Sequence, residues 1–341
     1  MLLIRIFKKI IPLTVKQIAA GIGLLVLSLH GFAQRMDPTG GSIGVSYTAL
    51  PSQSFKDTSG GFRYNAFGIN INIPLFGNRT KIIENTLQEG RPHFYEISGH
   101  ANFESLHSTI DFIETPRTIY QASAGFGGLF YNGKKNIIFA DLNVGVASDG
   151  LAIQNSDAKY RFFGLFIVNH LQTTSLTWQY GVVFSYAYGR PLPLPVLGVR
   201  KKFARTWSFS AVLPVSVQVT DRLNKDMNIS FLLRPAGNRF QLQNLNDFNT
   251  TSPTVYMQLR QFELGLSYLY RFTKQFSFGA EAGLLAGGKL KFTEVNDFKT
   301  ILYQTGMKPG AKFRLSLRYR LPHKKANNNN VDMDGEMLRV N

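Results

Sequence analysis

The segment "GAKFRLSLRYRL" near the end of the chain alternates oil and charge with a period of two. On an extended strand Ala311, Phe313, Leu315, Leu317, Tyr319 and Leu321 fall on one face, and Lys312, Arg314, Ser316, Arg318 and Arg320 fall on the other. Successive side chains of a strand point to opposite sides of the sheet, so the segment asks for two different solvents. A soluble sandwich or barrel would bury the oily face. A transmembrane barrel would turn it outward to lipid and leave the cations facing a wet lumen.

The same device recurs along the chain. "SLTWQYGVVFSY" sets Leu176, Trp178, Tyr180, Val182, Phe184 and Tyr186 against Ser175, Thr177, Gln179, Gly181, Val183 and Ser185. "QFSFGAEAGLL" sets Phe276, Phe278, Ala280, Ala282 and Leu284 against Gln275, Ser277, Gly279, Glu281 and Gly283, and "GININI" sets three isoleucines against Asn70 and Asn72. Period and composition together favour sheet. Strands are predicted at 42–50, 62–73, 79–103, 118–130, 136–148, 158–168, 175–186, 194–202, 206–217, 226–234, 237–245, 254–272, 275–286 and 310–321. The connections alternate between short ("PLFGN", "YNGKK", "NHLQTT", "FAR", "PA", "TK") and long (51–61, 104–117, 149–157, 187–193, 218–225, 246–253, 287–309). Short turns at one end and longer loops at the other, with an even strand number, describe an antiparallel up-and-down transmembrane β-barrel. The expectation is an all-β fold of about fourteen strands, with twelve as the alternative; the third strand holds "QEGRPH" (88–93), a kink or a real turn, and a split there would spoil the even count.

At the start, Arg5, Lys8, Lys9 and Lys16 precede an apolar run at 18–29, and "GFA" ends at Ala33, the pattern of a secretory signal peptide cleaved after Ala33. That run is shorter than the ~20 residues a membrane-spanning helix needs. No later stretch of 18 apolar residues follows, so any further span must be made of strands. The organisation expected is a signal peptide (1–33), a barrel (34–321) and a polar, disordered tail (322–341) with asparagine at 327–330. The chain has no cysteine, which excludes a disulfide-stapled scaffold, thiolate metal sites and lipid attachment at a cysteine after the signal.

The net charge is +17; removing the four cations of residues 1–33, which hold no acid, leaves +13. Such an excess suits an anion-attracting lumen or phosphate-bearing lipid. On an exported chain it does not point to nucleic acid. Lys134 and Lys135, then Arg200, Lys201, Lys202 and Arg205, then Arg271 and Lys274 cluster beside the predicted short turns, where headgroups would lie.

Chemical motifs are sparse. The chain carries neither G-x-S-x-G nor H-E-x-x-H. His93, His100 and His107 recur every seven residues, but "HFYEISGHANF" reads as strand, on which His93 and His100 point to opposite sides. No catalytic residue, metal or cofactor is expected; the cluster a hidden enzyme would use is His100 with Glu96, Ser98 and Glu104. "GFGG" (125–128) lacks the helix that a phosphate loop requires and is read as close strand approach or curvature. "GRPLPLPVLG" (189–198) is read as a stiff surface loop entering a strand.

By this pattern, over residues 34–321, the chain resembles the outer-membrane β-barrel proteins of Gram-negative bacteria. The resemblance rests on the export signal and the Tyr- and Asn-rich strands and carries across no functional residues. It implies an outer-membrane location, with outer-membrane lipid and the assembly machinery as partners. Many such proteins end on an aromatic residue that closes the last strand. This one continues past Leu321, which moves the expected assembly signal to the region of Tyr319 and Leu321. Three function classes follow. The first is a channel for small anionic solutes, its lumen lined by Lys159, Arg161, Lys312, Arg314, Arg318 and Arg320, with the 287–309 loop able to fold inward. The second is a non-enzymatic structural or binding barrel that contacts lipopolysaccharide or an envelope partner. The third is a soluble lipocalin-like protein, which would need one very large core.

Overall fold

The computed structural model describes residues 41–77, 94–131, 135–149, 160–187, 191–243, 254–294 and 300–322, and among them every regular element is a strand. In chain order these are β1 (Ser42–Ser54), β2 (Gly61–Gly77), β3 (Phe94–Ile110), β4 (Arg117–Tyr131), β5 (Asn136–Asp149), β6 (Arg161–Leu171), β7 (Leu176–Ala187), β8 (Pro191–Lys202), β9 (Trp207–Leu213), β10 (Ser216–Arg222), β11 (Met227–Gln243), β12 (Thr254–Arg271), β13 (Phe276–Glu294), β14 (Ile301–Gly306) and β15 (Gly310–Arg320). Each pairs antiparallel with the next from β1 to β13, and β15 closes the circle by pairing with both β13 and β1. β14 lies against Lys289–Thr293 of β13 and β15 against Phe276–Leu285, so the two form one stave broken at residues 307–309. Fifteen strands therefore make a closed barrel of fourteen staves.

Alternation decides which way each side chain faces. Leu317 lies beside Val45, Val45 beside Ile69 and Ile69 beside Phe103, all on the outer side. With Tyr47, Phe67, Leu142, Val144, Phe166, Tyr180, Val182, Phe231, Leu264, Leu266, Phe313 and Leu315 they form an apolar belt around the outside, most of it exposed. Its extent far exceeds the patches that soluble monomers leave uncovered.

The two ends differ. At the end where β1 begins, which we call the turn end, the connections described in full, 172–175, 203–206, 223–226 and 272–275, are four residues each. Two of them use the same lock. The Thr173 hydroxyl accepts the N–H groups of Ser175 and Leu176, and the Thr273 hydroxyl those of Gln275 and Phe276. At the opposite, loop end the barrel narrows. β11 pairs with β10 only as far as Leu233, and β5 with β6 only as far as Gly145. Beyond those points β11 crosses to β5, where Gln241 and Ser148 form a parallel pair. The seam is fastened by Asp149, whose carboxylate accepts the Gln243 N–H at 2.7 Å, and by Arg117, which donates to Asp149 and to the Gln243 carbonyl. Fourteen staves at the turn end thus become nine at the loop end (β11 to β14 and β1 to β5), and β6 to β10 remain as a five-strand arc. The nine-stave part is filled: Leu50, Phe62, Ile119, Phe240, Met257 and Phe292 are fully buried in one apolar core. A smaller cluster of Phe163, Leu165, Ile167, Val183 and Val196 lines the arc.

Several predicted boundaries need correction. Residues 206–217 were expected as one strand and 218–225 as a loop, whereas the chain turns at Pro214 and Val215 and β10 occupies Ser216–Arg222. Conversely, "PA" at 235–236 is no turn: the chain runs through it as one strand, β11, from Met227 to Gln243. Pro235 sits where β11 has lost β10 as a neighbour, and an edge tolerates a missing N–H. The two errors cancel in the strand count. The same reasoning corrects "GRPLPLPVLG": Pro191, Pro193 and Pro195 are already strand, paired with β7, but β9 joins β8 only from Leu197 onward. The 287–309 loop is largely strand as well, with β13 running on to Glu294 through a bulge at Gly287, whose φ is +64°. The stretch 104–110, expected in a loop, extends β3. The signal peptide, "QEGRPH" and most of the tail lie outside the described residues.

Candidate functional site

Below the apolar core, four inward side chains from four neighbouring staves meet. Arg234 of β11 faces Glu263 of β12 in register and holds it with two bonds, Nε to Oε2 at 3.2 Å and Nη2 to Oε1 at 3.1 Å. The same Nη2 donates to Glu281 Oε2 of β13 at 2.9 Å, and Lys312 Nζ of β15 donates to Glu263 Oε2 at 2.8 Å. Glu263 and Lys312 are not on adjacent strands; β13 lies between them and presents Gly283 there. A Cβ on Gly283 would stand 3.0 Å from Glu263 Oε1, so the missing side chain is the window through which the pair forms. Glu263 is 2% exposed and Lys312 9%, and two cations against two carboxylates leave the cluster formally neutral.

A second window lies across the lumen wall on β4. Gly125 separates His100 of β3 from Asn143 of β5, and a Cβ there would come within 2.6 Å of His100 Nε2 and 2.1 Å of the Leu142 carbonyl oxygen. The ring instead lies over β4, with Nε2 2.9 Å from Asn143 Nδ2 and Nδ1 3.7 Å from Asp141 Oδ2. This is the role of Gly125, the first glycine of "GFGG". Gly125→Val is expected to lower stability by about 1–3 kcal/mol, because the added methyls have backbone on one side and imidazole on the other. Urea unfolding followed by tryptophan fluorescence measures this, and an unchanged midpoint would mean that the strands part freely at this point.

The predicted lumen residues are distributed as follows. Lys312 is taken up by Glu263. Arg314 Nη2 is 3.4 Å from Ser46 Oγ. Arg318 lies opposite Gly44 and Ser277, and Arg320 opposite Ser42; both are half-buried on the Lys312 face, nearer the turn end. Arg161 donates to Gln121 Oε1 at 3.2 Å. Lys159 and His93 lie outside the described residues, as does Lys134. His107 faces the other way from His100 and bonds to Thr118. The partners of His100 on β5 come from more than forty residues away, beyond the reach of the local grouping with Glu96, Ser98 and Glu104. Sequence reading passed over Arg234, Glu263 and Glu281 as site residues. The available signal was a carboxylate at the inward phase of an otherwise apolar alternation, "QFELGLSY".

A closed antiparallel barrel of fourteen staves, belted outside by apolar side chains and charged within, has the architecture of a transmembrane β-barrel. Residues 47–320 match the family described as Domain of unknown function (DUF6268), and the chain belongs to that family. The sequence matches no curated protein. Among solved structures it is similar to the translocator domain of the autotransporter NalP from Neisseria meningitidis, at 9% identity and a TM-score of 0.43 over 86% of this chain and 94% of that one. It is also similar to the COG4313 outer membrane channel from Pseudomonas putida F1 (8% identity, TM-score 0.44, 83% and 96% covered). A third is the Pseudomonas putida toluene transporter TodX (9%, 0.40, 87% and 91%).

Proposed function

We propose that the protein is a non-enzymatic outer-membrane β-barrel that conducts small solutes and is held closed in the form described. One observation carries this reading: a single lumen is polar and charged toward the turn end and packed with apolar side chains toward the loop end. Buried ion pairs contribute little net stability compared with an apolar filling of the same volume. The Arg234–Glu263–Lys312 cluster is therefore better accounted for by what passes or stops there than by holding the barrel together. Arg314, Arg318 and Arg320 lie between the cluster and the turn-end mouth, which favours anions. The packed core supports a second reading, a purely structural or binding barrel.

Reconstitution separates the two. The folded protein should migrate faster before boiling than after, and in planar bilayers it should open rarely. Phe240→Ala, which removes a fully buried ring from the core, should raise the open fraction, with anions passing more readily than cations. Bilayers that stay silent with both proteins, at loads where the compact band is present, would exclude the channel and leave the structural barrel. A mature protein that stays in the aqueous phase without detergent would exclude both.

A further inference from the structure

Where β11 leaves β10, a second face becomes buried. The sheet of β11, β12 and β13 at the loop end has the apolar core on one side; on the other it carries Arg239, Gln258 and Lys291 in one cross-strand row and Gln241, Tyr256 and Thr293 in the next. Directly opposed side chains on neighbouring strands lie about 5 Å apart, so these rows form one patch. Gln258 is 2% exposed and Thr293 1%. Arg260 Nη2 donates to Gln258 Oε1 at 3.0 Å, which fixes the amide with its nitrogen turned away. Gln258 Nε2, Arg260 Nε and Thr293 Oγ1 are buried with no hydrogen-bond partner among the described residues. Neither Arg260 nor Lys291 has a carboxylate partner there. The Arg239 guanidinium lies 5.4 Å from the Tyr256 ring centroid.

We infer that this patch is a binding site for a phosphate group. Buried donors are as a rule satisfied, and buried cations are matched by a counter-charge. Here a guanidinium, an ammonium, an amide N–H and a hydroxyl share one patch on neighbouring strands, and every one of them can donate. A doubly charged tetrahedral oxyanion supplies acceptors in several directions at once and balances the cations. A carboxylate would leave part of the set unmet. The site lies on the face away from the lumen cluster and does not rest on the conduction reading.

Calorimetric titration of inorganic phosphate into the full-length protein tests this directly, in a neutral, phosphate-free detergent at constant ionic strength in chloride. One saturable site per chain is expected. Arg260→Gln combined with Lys291→Gln should weaken it by at least roughly tenfold, because two charge contacts to the anion are lost. Gln258→Glu supplies the missing carboxylate from within and should abolish phosphate binding while raising the temperature at which the compact band is lost. If the double variant loses that band, the Gln258→Glu protein decides. A parallel arm uses mixed micelles that contain a phosphorylated glycolipid. Saturation there and not with inorganic phosphate would identify the phosphate as that of a membrane lipid, whereas the reverse would identify a free solute. Absence of saturable heat in both arms, or unchanged affinity in a Gln258→Glu protein that keeps its compact band, overturns the inference.

Discussion

Glu263→Gln should be the most damaging conservative substitution in the barrel, costing about 3–5 kcal/mol, the range seen when one member of a buried ion pair is removed. The size follows from how many staves the carboxylate serves. It takes two bonds from Arg234 and one from Lys312, so neutralising it leaves Lys312 buried without its counter-charge, while Arg234 keeps only Glu281. An amide retains the shape but offers one acceptor where two were in use. Urea titration of the compact band in detergent measures the loss. A second change, Lys312→Met in the Glu263→Gln background, should recover part of it, because it removes the stranded charge. If Glu263→Gln unfolds at the wild-type urea concentration, the cluster is solvated and the closed lumen described above is wrong.

Leu317→Arg is expected to cost roughly 2–4 kcal/mol, the depth-dependent cost of a cation on the lipid face. Leu317 sits within the outward belt beside Val45 and Phe278. Arg318, its neighbour on the other face, should respond differently: Arg318→Ser should leave the unfolding midpoint nearly unchanged and lower the anion preference of whatever current the barrel passes. Equal destabilisation by the two changes would contradict the assignment of faces. Unfolding in lipid bilayers and reversal-potential measurements under a salt gradient provide the two readouts.

The fold was legible because a membrane barrel repeats one local rule many times. Period-two alternation depends only on neighbouring residues, so "GAKFRLSLRYRL" and "SLTWQYGVVFSY" disclosed both strand and face. Proline was the misleading signal. Pro235 reads as a break between strands and Pro191 and Pro193 as loop before one, whereas they mark edges within strands, at places where a neighbour departs. Edge status depends on which distant strand stands alongside, and β11 crossing to β5 joins residues about ninety positions apart. The site was hidden for the same reason. Lys312 was recognisable as an inward cation, but its partner Glu263 lies one stave beyond its neighbour, and the glycine that lets them meet belongs to the stave between.

The crossing of β11 to β5 also gives the sheet the connectivity of the Greek letter theta. Two branch points, β5 and β11, are joined by three routes: the short seam, the arc through β6 to β10, and the long way round through β12, β13, the β14–β15 stave and β1 to β4. A simple hoop cut once becomes a ribbon, but a theta cut once keeps a closed circuit. Parting of one strand pair in the arc, such as β9 from β10, would leave the nine-stave loop of hydrogen bonds whole, whereas an ordinary fourteen-stave hoop has no such reserve. The arc can therefore vary or loosen without unravelling the circuit that holds the apolar core.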